Sequence, residues 1–328
     1  MVQAQRRGKR AIRLHPYYQS GNDATIMTGD SASLLASVPS GCVSLVLTSP
    51  PYNIGKPYEG IVSPEAYRGT LRKVIDQCAR VTSRGGSLCF QVGSTFDENG
   101  GLVLLDRLID ELVAEVAGEH QLVLRNRIIW HFGHGLHATQ RFSGRYETLL
   151  WYTKGGEYTF NLDDVRVPQK YPGKRSYKGP SSGKLSGNPL GKNPADFWVA
   201  DADVWDIPNV KSNHREKTEH PCQFPLELAA RVVLAFTNVG QRVLDPFGGA
   251  GTTAAAAILL RRRAISIDTI SEYSRISRAR VRDAWDGKLR YRGSGPVAEP
   301  SCGSAVAQLP QSFARARAKA GKKDLAKI

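Results

Sequence analysis

The chain has 328 residues, 41% of them hydrophobic and 23% charged, with 45 Lys and Arg against 30 Asp and Glu for a net charge of +15. This composition excludes a disordered chain, a collagen and a coiled-coil rod, and the length suits one large α/β domain or two ordinary ones. The basic excess points to an acidic partner, with nucleic acid first and an anionic membrane surface second.

Residues 1–13 form a basic N-terminal tail, with Arg6, Arg7, Lys9, Arg10 and Arg13 and no acid, and they read as poorly ordered. No apolar signal region follows, and no stretch reaches the roughly 20 apolar residues of a membrane span. The five cysteines, Cys42, Cys78, Cys89, Cys222 and Cys302, show neither a C-x-x-C pair nor zinc-ligand spacing. A reduced, cytoplasmic protein with no membrane partner is the expectation.

Past the tail, short runs of Val, Ile and Leu alternate with longer helical patterns, which predicts an α/β fold with a parallel sheet wrapped by helices. Strands are expected at Ala24–Met27, Val43–Thr48, Ser87–Val92, Leu122–Trp130, Glu147–Tyr152, Arg242–Leu244 and Ala264–Ile267. Helices are expected at Pro64–Val81, Leu102–Val116, Pro225–Thr237, Thr252–Arg261 and Ser271–Ala284. Arg261, Arg262 and Arg263 at the end of one helix read as a solvated terminus, where cations suit the dipole. Between Val165 and Ala195 the alternation stops, with seven basic residues, no acid and many Gly, Ser and Pro. Such a long loop inside a compact domain is functional or disordered. Residues 293–328 form a second basic, flexible tail.

Two turns carry chemistry. The first follows the strand ending at Thr48 and reads Ser49-Pro50-Pro51-Tyr52-Asn53. Consecutive prolines cannot donate ladder hydrogen bonds, so the strand stops in a stiff turn. The Ser49 hydroxyl and Pro50 carbonyl can then face outward as acceptors, with the ring of Tyr52 beside them. Two acceptors next to an aromatic plate suit the exocyclic amine of a nucleobase; the structural alternative is a rigid turn with Tyr52 in the core.

The second turn is Asp245-Pro246-Phe247-Gly248-Gly249-Ala250-Gly251-Thr252, between a strand and an Ala-rich helix. Its glycines suit close approach of a ligand to the backbone, and Asp268 at the end of the next strand is placed for ribose hydroxyls. The Gly-Lys-Ser/Thr ending of a phosphate-cradling loop is absent, which argues against an NTPase. A carboxylate at Asp245 would repel a pyrophosphate, which favours S-adenosylmethionine over NAD.

Together the turns resemble the amino-methyltransferases of restriction-modification systems, which methylate DNA at cytosine N4 or adenine N6. In that family [DNS]-P-P-[YFW] is catalytic and D-P-F-x-G-x-G-T binds S-adenosylmethionine. The catalytic motif comes first here, the permuted order of the family's β group. Thr28-Gly29-Asp30, Arg141 to Glu147 and His220 to Pro225 also match, so the resemblance covers about residues 22–285.

The resemblance implies a Rossmann-like methyltransferase fold with a mostly parallel sheet and helices on both faces, built from residues 14–164 and 212–292. It implies Ser49, Pro50, Pro51 and Tyr52 as catalytic residues. It implies a cofactor site of Asp30, Gln223, Phe224, Asp245, Pro246, Phe247, Gly249, Gly251, Thr252 and Asp268, and no metal. It implies duplex DNA as substrate, a bacterial or archaeal nucleoid setting, a cognate restriction endonuclease as a partner, and a monomer or homodimer. Serine at the first motif position favours cytosine N4.

The basic segment, taken as 165–211, lies where the family reads its target sequence; Lys170, Lys174, Arg175, Lys178, Lys184 and Lys192 are its expected DNA contacts. His131, His134 and His137 have the look of a metal cluster, but the intervening glycines make a helix improbable. With Arg141 and Arg145 nearby, this stretch reads as a DNA-facing loop. The two tails and residues 165–195 hold the whole charge excess, leaving the remaining chain within one charge of neutrality.

Overall fold

The computed structural model describes residues 10–292, apart from 57, 58, 134, 136, 170, 172, 199–206, 212 and 213. Expectations for residues 1–9, His134, Lys170, the 199–206 part of the basic segment and the C-terminal tail therefore lie outside the described residues.

In chain order the elements are β1 (Leu14–His15), β2 (Ala24–Thr28), α1 (Ser31–Leu35), β3 (Val43–Thr48), α2 (Pro64–Val81) and β4 (Thr82–Val92). There follow β5 (Ser94–Phe96), β6 (Leu102–Leu104), α3 (Leu105–His120), β7 (Leu122–His131) and β8 (Tyr146–Lys154). The last are β9 (Phe197–Trp198), α4 (Leu226–Phe236), β10 (Arg242–Asp245), α5 (Thr252–Leu259), β11 (Arg263–Asp268) and α6 (Ser271–Trp285). All seven expected strands and five expected helices form, with two larger boundary shifts: β4 starts at Thr82, five residues before the expected Ser87, and α3 starts late. Residues 102–104 pair with β5 as a hairpin, so α3 starts three residues later than the periodicity suggests.

Nine strands make one sheet in the order β1-β2-β11-β10-β3-β4-β8-β7-β9. The run from β1 to β4 is parallel, β8 is antiparallel to β4 and β7, and β9 is parallel to β7. Parallel strands covered on both faces bury both sets of side chains, which is why they read as continuous apolar runs. One face is packed by α4, α5 and α6, and the other by α1, α2 and α3. In α2 the buried positions 71, 74, 75 and 78 follow helical spacing, whereas every residue of α5 is buried. Alanines let α5 lie against the sheet at close range.

Three sequence expectations change. Arg10 and Arg13 of the basic tail are fixed rather than loose: Arg10 forms a two-pronged ion pair with Asp23 at 2.9 Å, and the Arg13 amide donates to the same carboxylate. Arg262 is buried, donating to Thr237 Oγ1 at 3.0 Å and to the Leu260 carbonyl at 2.8 Å, so it is no solvated helix end. The basic segment is folded back on itself by antiparallel bridges, Val167 to Lys192 and Arg175 to Leu185. These bridges supply backbone partners that a bare loop would take from water.

Candidate active site at the switch point

Chain connections leave β3 in one direction along the sheet, through α2 to β4, and leave β10 in the other, through α5 to β11. The two turns that follow β3 and β10 therefore diverge at the carboxyl edge of adjacent strands, and a crevice opens where they part. This topology unites motifs nearly 200 positions apart. The register sets Leu244 beside Val46, and just beyond that pair Thr48 Oγ1 donates to Asp245 Oδ1 at 2.6 Å.

Asp245 is 1% exposed and lies beneath the glycine turn rather than at its open side. Its Oδ1 also accepts the Phe247 amide at 3.1 Å, and the Thr253 hydroxyl stands alongside. Burial pushes its pKa up to about 6, against the pull of these hydrogen bonds. It ties the two turns together, its Oδ1 held by Thr48 on one side and Phe247 on the other.

On the β3 side, Ser49 is half-buried and Pro50 buried. Neither the Ser49 hydroxyl nor the Pro50 carbonyl is hydrogen-bonded among the described residues. The turn is braced elsewhere. Tyr67 of α2 donates its hydroxyl to the Pro51 carbonyl at 2.6 Å, and the Gly93 amide, just past β4, donates to Tyr52 Oη at 2.7 Å. Tyr52 is thus half-buried, packed against the core on one side and anchored at its tip. Beyond it Asn53 takes a left-handed φ of 57°, which asparagine tolerates. Its backbone amide and that of Ile54 donate to the two carboxylate oxygens of Glu59, at 3.0 and 2.9 Å.

On the β10 side, the Pro246 carbonyl accepts the Ser31 hydroxyl of α1 at 2.5 Å. Gly249 and Gly251 have φ of 46° and 73°. A Cβ on Gly251 would stand 2.2 Å from Ser277 Oγ, and one on Gly249 would stand 2.9 Å from His220 Nε2. Phe247 is half-buried, while Thr252 is buried and accepts Arg280 Nη1 at 3.0 Å. Arg280 also donates to the Ala250 carbonyl at 2.8 Å, pinning the turn from below.

Asp268 uses Oδ2 to accept the Gly249 amide and Oδ1 to accept the Ile270 amide, both at 2.8 Å. Each oxygen retains a second lone pair, so these bonds orient the carboxylate without exhausting it. Asp30 caps α1 by accepting Ser33 N and Oγ, which hold its pKa below the usual carboxylate range. The two acids are neighbours at the same edge, since the Gly29 amide donates to the Asp268 carbonyl.

Gln223 is occupied: Nε2 donates to the Glu216 carbonyl at 2.9 Å and Oε1 accepts the Thr218 hydroxyl at 3.1 Å, so it organises the loop ahead of α4. Phe224 is half-buried against the core packed by α4. His220 is the residue of that stretch that reaches the glycine turn. It packs edge-on against Tyr273 at 4.4 Å between centroids, and burial lowers its pKa to about 4, keeping the ring neutral. Tyr273, Ser277 and Arg280 recur at helical spacing on α6 and so share one face.

Arg141 lies over the ring of Phe96 at 3.7 Å, and the Arg145 carbonyl accepts the Phe132 amide, closing the loop between β7 and β8. This loop and the β5–β6 hairpin stand at the site's edge of the sheet, where Phe142 is wholly exposed. Lys174, Arg175, Lys178, Lys184 and Lys192 are exposed on the folded basic segment. Its return strand pairs with the end of β7, and Trp130 Nε1 donates to the Ile207 carbonyl there. Among the described residues, a group able to hold a metal comprises Asp76, Glu119 and His120, on α2 and α3 near their ends remote from the turns. Also among the described residues, no helix is long and apolar enough to cross a membrane.

Residues 43–279 match a family described as DNA methylase. The chain belongs to that family. It is 43% identical over 248 residues to the type II methyltransferase M.BglII of Bacillus subtilis, covering 76% of this chain and 66% of that protein. It is 33% identical over 267 residues to the DNA adenine methyltransferase YhdJ of Escherichia coli K12, covering 80% and 84%. The solved structure of TTHA0409 from Thermus thermophilus, complexed with S-adenosyl-L-methionine, superposes with a TM-score of 0.57 at 28% identity, covering 84% of this chain and 97% of that one. The mixed, mostly parallel sheet with helices on both faces is thus the fold of a DNA methylase. The permuted motif order follows from the strand order, since β3 precedes β10 in the chain and adjoins it in the sheet.

Proposed function

We propose that this DNA methylase transfers a methyl group from S-adenosylmethionine to the exocyclic amine of a base flipped out of duplex DNA, with cytosine N4 the target. The observation that carries this reading is the meeting of the Ser49–Tyr52 and Asp245–Thr252 turns at one switch point, bonded through Thr48 and Asp245. S-adenosylmethionine, when bound, supplies an electrophilic methyl group on a sulfonium centre. The residues of the β10 side fit it: Asp268 and Asp30 offer acceptors to hydroxyl and ammonium groups, Phe247 offers a ring, and the same acids would repel a pyrophosphate.

The chain's own residues then act on the base. Ser49 Oγ and the Pro50 carbonyl accept the two N–H groups of the amine, which favours a pyramidal nitrogen and frees its lone pair. Tyr52, fixed at its tip by Gly93, stacks on the base, worth roughly 1–3 kcal/mol. That offsets part of the few kcal/mol lost on flipping. Arg141, Arg145 and the basic segment, with Lys170 by sequence, contact phosphates and bases of the flanking duplex.

Adenine N6 is the second reading, favoured by the adenine named in the YhdJ relative. The test is transfer of a labelled methyl group from S-adenosylmethionine to unmethylated duplex DNA, followed by nucleoside mass spectrometry. N4-methylcytosine is expected; N6-methyladenine alone overturns the choice of base, and full transfer by Tyr52→Ala overturns the site.

A further inference from the structure

We infer that Glu147 is the acceptor of the proton shed by the target amine, held by Gln91 at the wall of the base pocket next to Tyr52. This rests on the methyltransferase reading above. Methyl transfer forms a nitrogen–carbon bond and breaks a carbon–sulfur bond, with the electron pair staying on sulfur. The nitrogen is left with one proton too many. Ser49 cannot take it, because a serine hydroxyl is not a base at neutral pH.

The carboxylates around the two turns differ in what they already do. Asp245 is sealed beneath them. Asp268 and Asp30 hold backbone and hydroxyl donors on the β10 side, and Glu59 clasps the Asn53 and Ile54 amides. Glu147 is placed otherwise. Register pairs Gln91 with Leu149 and Val92 with Thr148, so the next pair, at the site's edge of the sheet, is Gly93 with Glu147. Period two then sets Gln91, Gly93, Glu147 and Leu149 on one face.

Glu147 Oε2 accepts a hydrogen bond from Gln91 Nε2. Its Oε1 lies 3.1 Å from where a Cβ on Gly93 would be, and the amide of that same Gly93 holds Tyr52 Oη. A side chain at Gly93 would therefore crowd the Glu147 carboxyl group, on the residue whose amide holds Tyr52. Glu147 is half-buried, and burial raises its pKa to about 7 while the Gln91 hydrogen bond pulls it down, which suits a base working near neutrality. The titratable groups around it are Tyr52 from the turn after β3, Arg145 and Tyr146 preceding it, and His131 of β7, which pairs with Tyr146; its own β7 partner is Trp130, and β4 contributes the neutral Gln91. On this geometry Glu147 takes the proton as the N–C bond forms and releases it to water after the methylated base leaves.

The experiment measures single-turnover methylation of unmethylated phage DNA by the full chain from about pH 5.5 to 9, for wild type, Glu147→Gln, Glu147→Asp and Gln91→Leu. Binding of S-adenosylmethionine and melting temperature serve as folding controls, and the carboxyl infrared band is titrated in the protein without DNA. The wild-type rate is expected to rise with pH and level off above about 7. Glu147→Gln is expected to be slower by about 10²-fold or more, with a flat profile and loss of a carboxyl band titrating near 7. Glu147→Asp should recover part of the rate and the sloping limb, and Gln91→Leu should move the limb to higher pH. A Glu147→Gln enzyme with the wild-type rate and profile, while Tyr52→Ala is inactive, overturns this inference and leaves the methyltransferase reading standing. A wild-type protein that methylates no DNA overturns both.

Discussion

Replacing Asp245 by Asn tests whether the carboxylate under the turns acts through its charge or its shape. The side chain is 1% exposed, and its Oδ1 takes both the Thr48 hydroxyl and the Phe247 amide. An asparagine oxygen can accept both, and its amide can donate to the Thr253 hydroxyl alongside. What Asn removes is an ionisable group whose pKa burial raises from 3.8 to about 6. The folded state thus holds this proton more tightly than the unfolded chain, so the contribution is fully present below pH 3.8 and is lost as pH rises through about 6. A shift of about two units corresponds to about 3 kcal/mol, so wild type should lose up to that much relative to Asp245→Asn between about pH 4 and 8. Urea melts of both proteins at intervals across this range measure the difference directly. Parallel stability curves would refute the reasoning, because they would mean that Asp245 does not titrate with a raised pKa in the fold.

Gly251→Ala should be destabilising by about 2–4 kcal/mol, combining the left-handed backbone with overpacking against Ser277, whose Cα lies 2.8 Å from the new carbon. A urea midpoint and slope matching wild type would refute the packing of α6 on the turn. Tyr52→Phe keeps the ring but removes the acceptor for the Gly93 amide, a loss of roughly 1–3 kcal/mol in turn anchoring. The methylation rate should therefore fall less than in Tyr52→Ala, and equal rates in the two variants would make the hydroxyl the whole contribution. Charge-neutral substitution of Lys174, Arg175 and Lys178 together should weaken DNA binding and reduce the salt slope by up to about 2.7, at about 0.9 per phosphate contact. An unchanged slope in a titration by anisotropy removes the basic segment from the DNA interface.

The elements of this fold were legible because parallel, doubly covered strands such as β3 and β11 must be apolar on both faces, and because α2 repeats its buried positions at helical spacing. The edges were less legible. Residues 102–104 carry three apolar residues that serve equally well as a helix start or a hairpin strand, and only the partner at β5 decides between them. In the site, the two motifs could be read one at a time, since each is a local exception: prolines ending a strand, and glycines opening a helix. What joins them could not. Thr48 looks like the last residue of a buried strand and Asp245 like a ligand-facing acid, and only the adjacency of β3 and β10 turns them into one hydrogen bond.

The same holds for His220, Ser277 and Arg280. Each lies far in sequence from the glycines it supports and carries a side chain with ordinary structural uses, so nothing local tells which glycine it supports. A glycine motif records where a side chain is forbidden but not which neighbour forbids it. At Gly251 and Gly249 that neighbour is α6 and the loop before α4, respectively, so these glycines are required by packing as well as by any ligand. A substitution there that lowers cofactor affinity is therefore informative about the cofactor only when the stability of the same variant has been measured beside it.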